Sequence, residues 1–130
     1  MTERIERTAL RNLIHNEEYS RKVLPFIKED YFSDRLEKLL FKEIYKFITK
    51  FNALPTKEAL SIEINDSKDI NEDEYKKITD IIATLNPEKI NLEWLVETTE
   101  KFCKDRAIHN AILGGIQIID GKDKQHTPEY

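Results

Sequence analysis

One cysteine, three glycines and four prolines in 130 residues leave little material for covalent staples or tight turns. A lone cysteine forms no internal disulfide, which excludes a disulfide scaffold and points to a reducing, cytoplasmic home. No apolar run approaches the roughly 20 residues of a membrane span, so no membrane role is expected. The opening MTERIERTALRNLI lacks the apolar core of a secretion signal. Runs that alternate apolar with polar residues are missing too, so nothing supports a sheet. A net charge of −4 disfavours a domain whose main task is gripping nucleic acid, since phosphate neutralisation supplies most of that affinity.

What the sequence does have is helical periodicity, within a length that suits one small domain. A first helix is expected after Thr2, with Ile5, Ala9, Leu13 and Ile14 inward. Asn16 caps a second, carrying Tyr19 and Val23, which Pro25 ends because proline lacks the amide a helix interior requires. Asp34 and Glu37 have capping-box spacing at the head of a third. Its inward arc at 100° per residue is Leu36, Leu40, Ile44, Phe47, Ile48 and Phe51, and Asn52 stops it. Thr56 opens a short fourth helix. Asn71 and Glu74 open a fifth, with Tyr75, Ile78, Ile82 and Leu85 on one face, and Asn86-Pro87 closes it.

The sixth helix is of a different scale. It starts near Asn91 and runs to Ile119 or Asp120, more than ~40 Å at ~1.5 Å per residue. Leu92, Val96, Thr99, Cys103, Ala107, Ala111, Gly114 and Ile118 form a stripe at steps of three and four, with small residues in its middle. Small residues let another helix axis come close, so the stripe reads as a seam for a helical partner. Ile108, Ile112, Leu113, Ile116 and Ile119 add apolar surface around it. The ending KQHTPEY has a cap and an early proline, as a helix start does. The expected architecture is therefore all-α: a head of about five short helices (1–90), a long first arm of a helical hairpin (91–121), and a turn into a truncated second arm (122–130).

The chemistry that such residues could carry fails on geometry. Cys103 and His109 are six apart, which on a helix means about 120° of azimuth and about 9 Å of rise. Ligands on one helix need a spacing of three or four. Cys103 reads as a packing residue and His109 as a partner of Asp105, so no metal site is expected. Gly115 to Gly121 with Lys122 is one residue too long for a phosphate loop, follows a helix, and has Asp123 where a hydroxyl belongs. No nucleotide, metal or catalytic residue is assigned, and no cofactor is expected in this chain. Arg35, Lys38, Lys42, Lys46 and Lys50 lie opposite the apolar arc of the third helix. They are candidate contacts for phosphates or an acidic partner, against the plainer reading of a solvated face balanced by Glu37 and Glu43.

The order of these pieces resembles the N-terminal domain of DnaB-type replicative helicases. LRNLIHNEEY is followed by VLPFIKEDYFSDRLEKLLFKEIYKFI, with Asp30-Tyr31-Phe32 before the apolar helix, and then by LPTKEAL. NLEWLVETTEKFCKDRAIHNAI, with Trp94, the Glu100-Lys101 pair and Arg106, resembles the first hairpin helix of that family. The FCKDRAI and IDGKDK…TPE segments resemble its T-even-type phage members. The resemblance implies an assembly and primase-docking domain of a hexameric, ATP-dependent DNA helicase that works in the host cytoplasm. Its partners would be other subunits of the ring, primase and a helicase loader. ATP, Mg and most DNA contacts would belong to a motor absent from these residues. For self-association it points to Cys103, Ala107, Ile108, Ala111, Ile112, Gly115, Ile116 and Ile119. The alternative is an adaptor, either a loader or the helicase-binding domain of a primase; a stand-alone helical enzyme has no constellation to support it.

Overall fold

The computed structural model describes residues 4–119, with side chains through residue 114. Its helices are α1 (Ile5–His15), α2 (Glu17–Val23), α3 (Arg35–Phe51), α4 (Lys57–Asp66), α5 (Glu72–Thr84) and α6 (Leu92–Ile119), with a single 3₁₀ turn at Glu29–Tyr31 before α3. The all-α expectation holds, and no strand occurs among the described residues. The expected start of α1 after Thr2 falls among undescribed residues; the helix itself begins at Ile5.

Local chemistry fixes most boundaries. Side chains of Asn16, Asp34, Thr56, Asn71 and Asn91 each accept a hydrogen bond from the backbone N–H three residues on, at 2.8–3.0 Å. Each satisfies one of the amides a helix start leaves orphaned. At α5 the capping box is complete, because the Glu74 carboxylate also accepts from the Asn71 N–H. Asn52 ends α3 in the left-handed region at φ 52°, a conformation asparagine tolerates.

At α3 the box is only half made. Glu37 donates its N–H to Asp34, yet its carboxylate turns away and is fully buried against α1. There Oε2 accepts from Arg4 at 2.6 Å and Arg7 at 3.1 Å, while Oε1 has no hydrogen-bond partner among the described residues. This corrects the expectation that Glu37 balances the lysines of its own helix. A second cross-link joins α1 to the end of α5. Arg11 donates to the Thr84 and Asn86 carbonyls, and His15 Nε2 donates to the Leu85 carbonyl at 2.6 Å. Two α1 side chains thus supply what the C-terminal carbonyls of α5 lack.

The core runs through all six helices, with Leu10, Leu13, Tyr19, Phe32, Leu40, Ile44, Leu60, Ile64, Ile78, Leu85 and Leu95 at full or nearly full burial. Helix α3 touches α1 and the 3₁₀ turn as well as α4 and α5. That double engagement alters its expected inward arc. Glu37, Leu39, Phe41 and Glu43 are buried along with Leu40 and Ile44, whereas Phe51 at the far end is 52% exposed. A single-stripe reading assumes one buried side, and a helix packed on more than one side breaks that assumption.

The Glu37 cluster yields an ordered outcome. Replacing both Arg4 and Arg7 by alanine strands a buried carboxylate and should cost about 3–5 kcal/mol. Glu37→Gln leaves two arginines that can reach water, and should cost about 1–3 kcal/mol. Urea unfolding of both variants checks this; a double-arginine variant no less stable than Glu37→Gln would refute the account.

Candidate functional site: the free end of α6 and the basic side of α3

Helix α6 divides along its length. Its first turns lie in the core: Leu95 and Thr99 are fully buried and Cys103 is 4% exposed. Thr99 Oγ1 donates to the Leu95 carbonyl at 2.7 Å, so its single proton is committed. The 2.8 Å contact with the Tyr19 hydroxyl must therefore have tyrosine as donor. This buried relay, Tyr19 to Thr99 to Leu95, fastens α6 to α2.

Cys103 belongs to that fastening, and the position expected at a subunit seam is already covered by the chain's own head. Burial, with the nearby Glu100 charge, pushes its thiol up to about 11. Burial likewise raises the Tyr19 hydroxyl well above its ordinary value. His109 is exposed, and Asp105, its expected partner, lies 3.8 Å from Lys101 instead. Ala107 is half-buried beside Phe26 and Tyr31 at a shallow 230 Å³ hollow. The amide of Asn110 donates to the Asp30 carbonyl at 3.3 Å.

Beyond this the helix stands clear. Ile108 is 59% exposed, Ile112 57% and Leu113 48%, and Ala111 is exposed between them. A Cβ placed on Gly114 would meet nothing within 4 Å, so no close approach inside the chain requires glycine there. Of the residues expected at a seam, Ile108, Ala111 and Ile112 thus share an exposed end with Leu113, which is not among them. The side chains of Gly115, Ile116 and Ile119 lie outside the described residues, as do the turn and second arm expected over 122–130.

Two of the basic residues of α3, Arg35 and Lys42, are met by acids from distant segments. Arg35 Nε contacts Glu74 at 2.7 Å and holds that carboxylate below its usual range, aided by the Asn71 N–H. Lys42 lies 3.4 Å from Asp69, Lys46 lies 3.4 Å from Glu43, and Lys50 sits 5.3 Å above the Phe51 ring. Lys38 is half-buried and has no carboxylate partner among the described residues. These pairs leave no uninterrupted basic track. No cluster of three or more histidine, cysteine, aspartate or glutamate side chains that could hold a metal occurs among the described residues. No described helix is long and apolar enough to cross a membrane.

Two outcomes follow for the relay. Thr99→Val removes the acceptor and leaves the Tyr19 hydroxyl buried without one, at about 1–3 kcal/mol. Tyr19→Phe leaves Thr99 bonded to Leu95 and should cost less, so thermal melts should rank the two in that order. In alkali, the folded chain keeps the Cys103 thiol protonated while the unfolded chain releases its proton near the ordinary 9.0. The folded state then binds more protons, so this contribution is complete below pH 9 and is lost as pH rises through about 11. Cys103→Ala should flatten the fall in melting temperature over that window; an unchanged slope would show that the thiol does not contribute.

No protein-family profile matches the chain. Over 109 residues, 84% of its length, it is 31% identical to the DnaB-like replicative helicase of Enterobacteria phage T4. The aligned region is the N-terminal portion of that protein, and the chain spans 23% of its length. The chain is thus a homologue of the N-terminal part of a DnaB-like replicative helicase.

Proposed function

We propose that these residues form the assembly and primase-docking domain of a hexameric, ATP-dependent replicative DNA helicase. The observation that carries the reading is the free end of α6, where Ile108, Ala111, Ile112 and Leu113 stand exposed just past a well-buried root. Apolar side chains gathered at one end of a helix gain by being covered, and a neighbouring subunit's helix is the cover that fits. In this reading the heads and hairpins make a collar between subunits, and primase docks on that collar. ATP and Mg would be held by a motor domain, which would also make most of the DNA contacts. A helicase loader would be a further partner, and the setting would be the host cytoplasm.

A free-standing adaptor is the second reading. A likeness confined to 23% of a helicase is also what a separate copy of the head would give. The two readings part in a binding experiment with purified primase and purified helicase motor from the same genome. Capture of primase by the tagged chain supports the collar. Capture of the motor without primase supports the adaptor and overturns the collar.

Self-association has its own test. Ala111→Glu and Ile112→Glu alter exposed positions, so each should change the folding stability of the single chain by no more than about 0.5 kcal/mol. In a polypeptide that carries the complete hairpin, both should shift sedimentation equilibrium toward the monomer. Unchanged assembly in both variants would remove the seam from this end of the helix.

A further inference from the structure

Between the connection that follows α2 and the middle of α3 lies an open pocket of 410 Å³. Its apolar side is Ile27 and Phe41, each 3% exposed, with half-buried Leu24. Phe41 belongs to a ladder of rings that leads outward, 5.0 Å from Phe32 on the buried side and 6.0 Å from Tyr45 on the other. Tyr45 is 43% exposed and lines the pocket, together with Lys28, Lys42 and Lys46. Glu29 also lines it, so three cations face one anion in a chain whose overall charge is −4.

We propose that this pocket docks an acidic peptide segment of another protein. One apolar or aromatic side chain of that segment enters between Ile27, Phe41 and Tyr45, and flanking carboxylates meet Lys28, Lys42 and Lys46. Charge complementarity selects the occupant. Lys42 holds Asp69 only at 3.4 Å in a solvent-exposed pair that an incoming carboxylate can replace, and the exposed Lys46 can meet a second carboxylate while staying beside the buried Glu43. Nucleic acid fits less well. A strand needs a basic groove that tracks its backbone, and here Glu29, Glu43 and Asp69 interrupt the lysines. The apolar base gives an anchor side chain somewhere to be desolvated, which is how short segments gain specificity beyond their charge.

The probe is the end-labelled peptide Asp-Glu-Asp-Phe-Asp-Glu, followed by fluorescence anisotropy and by amide shifts of the whole chain. Three controls accompany it: the peptide with alanine for phenylalanine, the peptide with its acids replaced by glutamine, and a ten-nucleotide oligothymidylate. The expected result is saturable binding, with shifts at Lys28, Phe41, Tyr45 and Lys46. Each control peptide, and the variants Tyr45→Ala and Lys42→Gln with Lys46→Gln, should bind at least about tenfold more weakly. Melting temperatures of the variants separate lost binding from lost fold, and the peptide controls on the unaltered chain decide the matter independently. Equal binding of the phenylalanine and alanine peptides would overturn the proposal, reducing the site to a charged surface. So would no binding of the acidic peptide, or tighter binding of the oligonucleotide at the same residues. Peptide-independent dimerisation that shifts the same amides would assign the pocket to a second copy of the chain and overturn it as well.

Discussion

The joint between α6 and the head, built on a relay of two hydroxyls, is what everything beyond it rests on. Tyr19 and Thr99 are 80 residues apart in sequence, yet their oxygens meet at 2.8 Å in the buried interior. Thr99 donates its hydrogen bond to the backbone of its own helix, so each hydroxyl has one defined role. Leu95 and Cys103 seal the relay on either side at one-turn spacing. Apolar burial alone would tolerate a helix that slides or rotates by a residue; two buried hydroxyls that satisfy each other do not, because slippage would strand a polar group.

Charge plays a comparable part in the rest of the head. Glu37 ties α3 to α1, and Arg11 with His15 ties α1 to the end of α5. Helix α1 therefore reaches its neighbours through polar groups as well as through Leu10 and Leu13. With α4 and α5 packed on α3 and α6 packed on α1 and α2, it is the strut common to both sides of the head.

Helix starts were legible in the sequence because a cap acts over three residues, and asparagine, aspartate or threonine at that place states its role locally. The length of α6 was legible for a like reason, since nothing between Asn91 and Ile119 breaks a helix. Longer-range matters were not. Glu37 looked like the return half of a capping box or a partner for lysines, and nothing nearby in sequence pointed to arginines 30 and 33 residues earlier. His15 gave no sign of serving a carbonyl 70 residues away. Cys103 fell on a stripe of small residues, but periodicity cannot say whether a stripe faces its own head or a neighbour. The pocket beside Tyr45 was hidden for the same reason: the lysines of α3 were visible as a charged face, whereas Ile27 and Lys28 reach them only through the fold.

Continuity of α6 has a mechanical consequence. A single uninterrupted helix links the buried joint at Thr99 and Cys103 to Ile119 at its far end. From Cys103 to Ile119 is about 24 Å at 1.5 Å per residue. A tilt of about 5° at the joint would move the far end by about 2 Å, a displacement on the scale of helix shifts at subunit interfaces. The helix is in this sense a lever whose fulcrum is the packed joint, converting small adjustments within the head into changes of register wherever its tip is held.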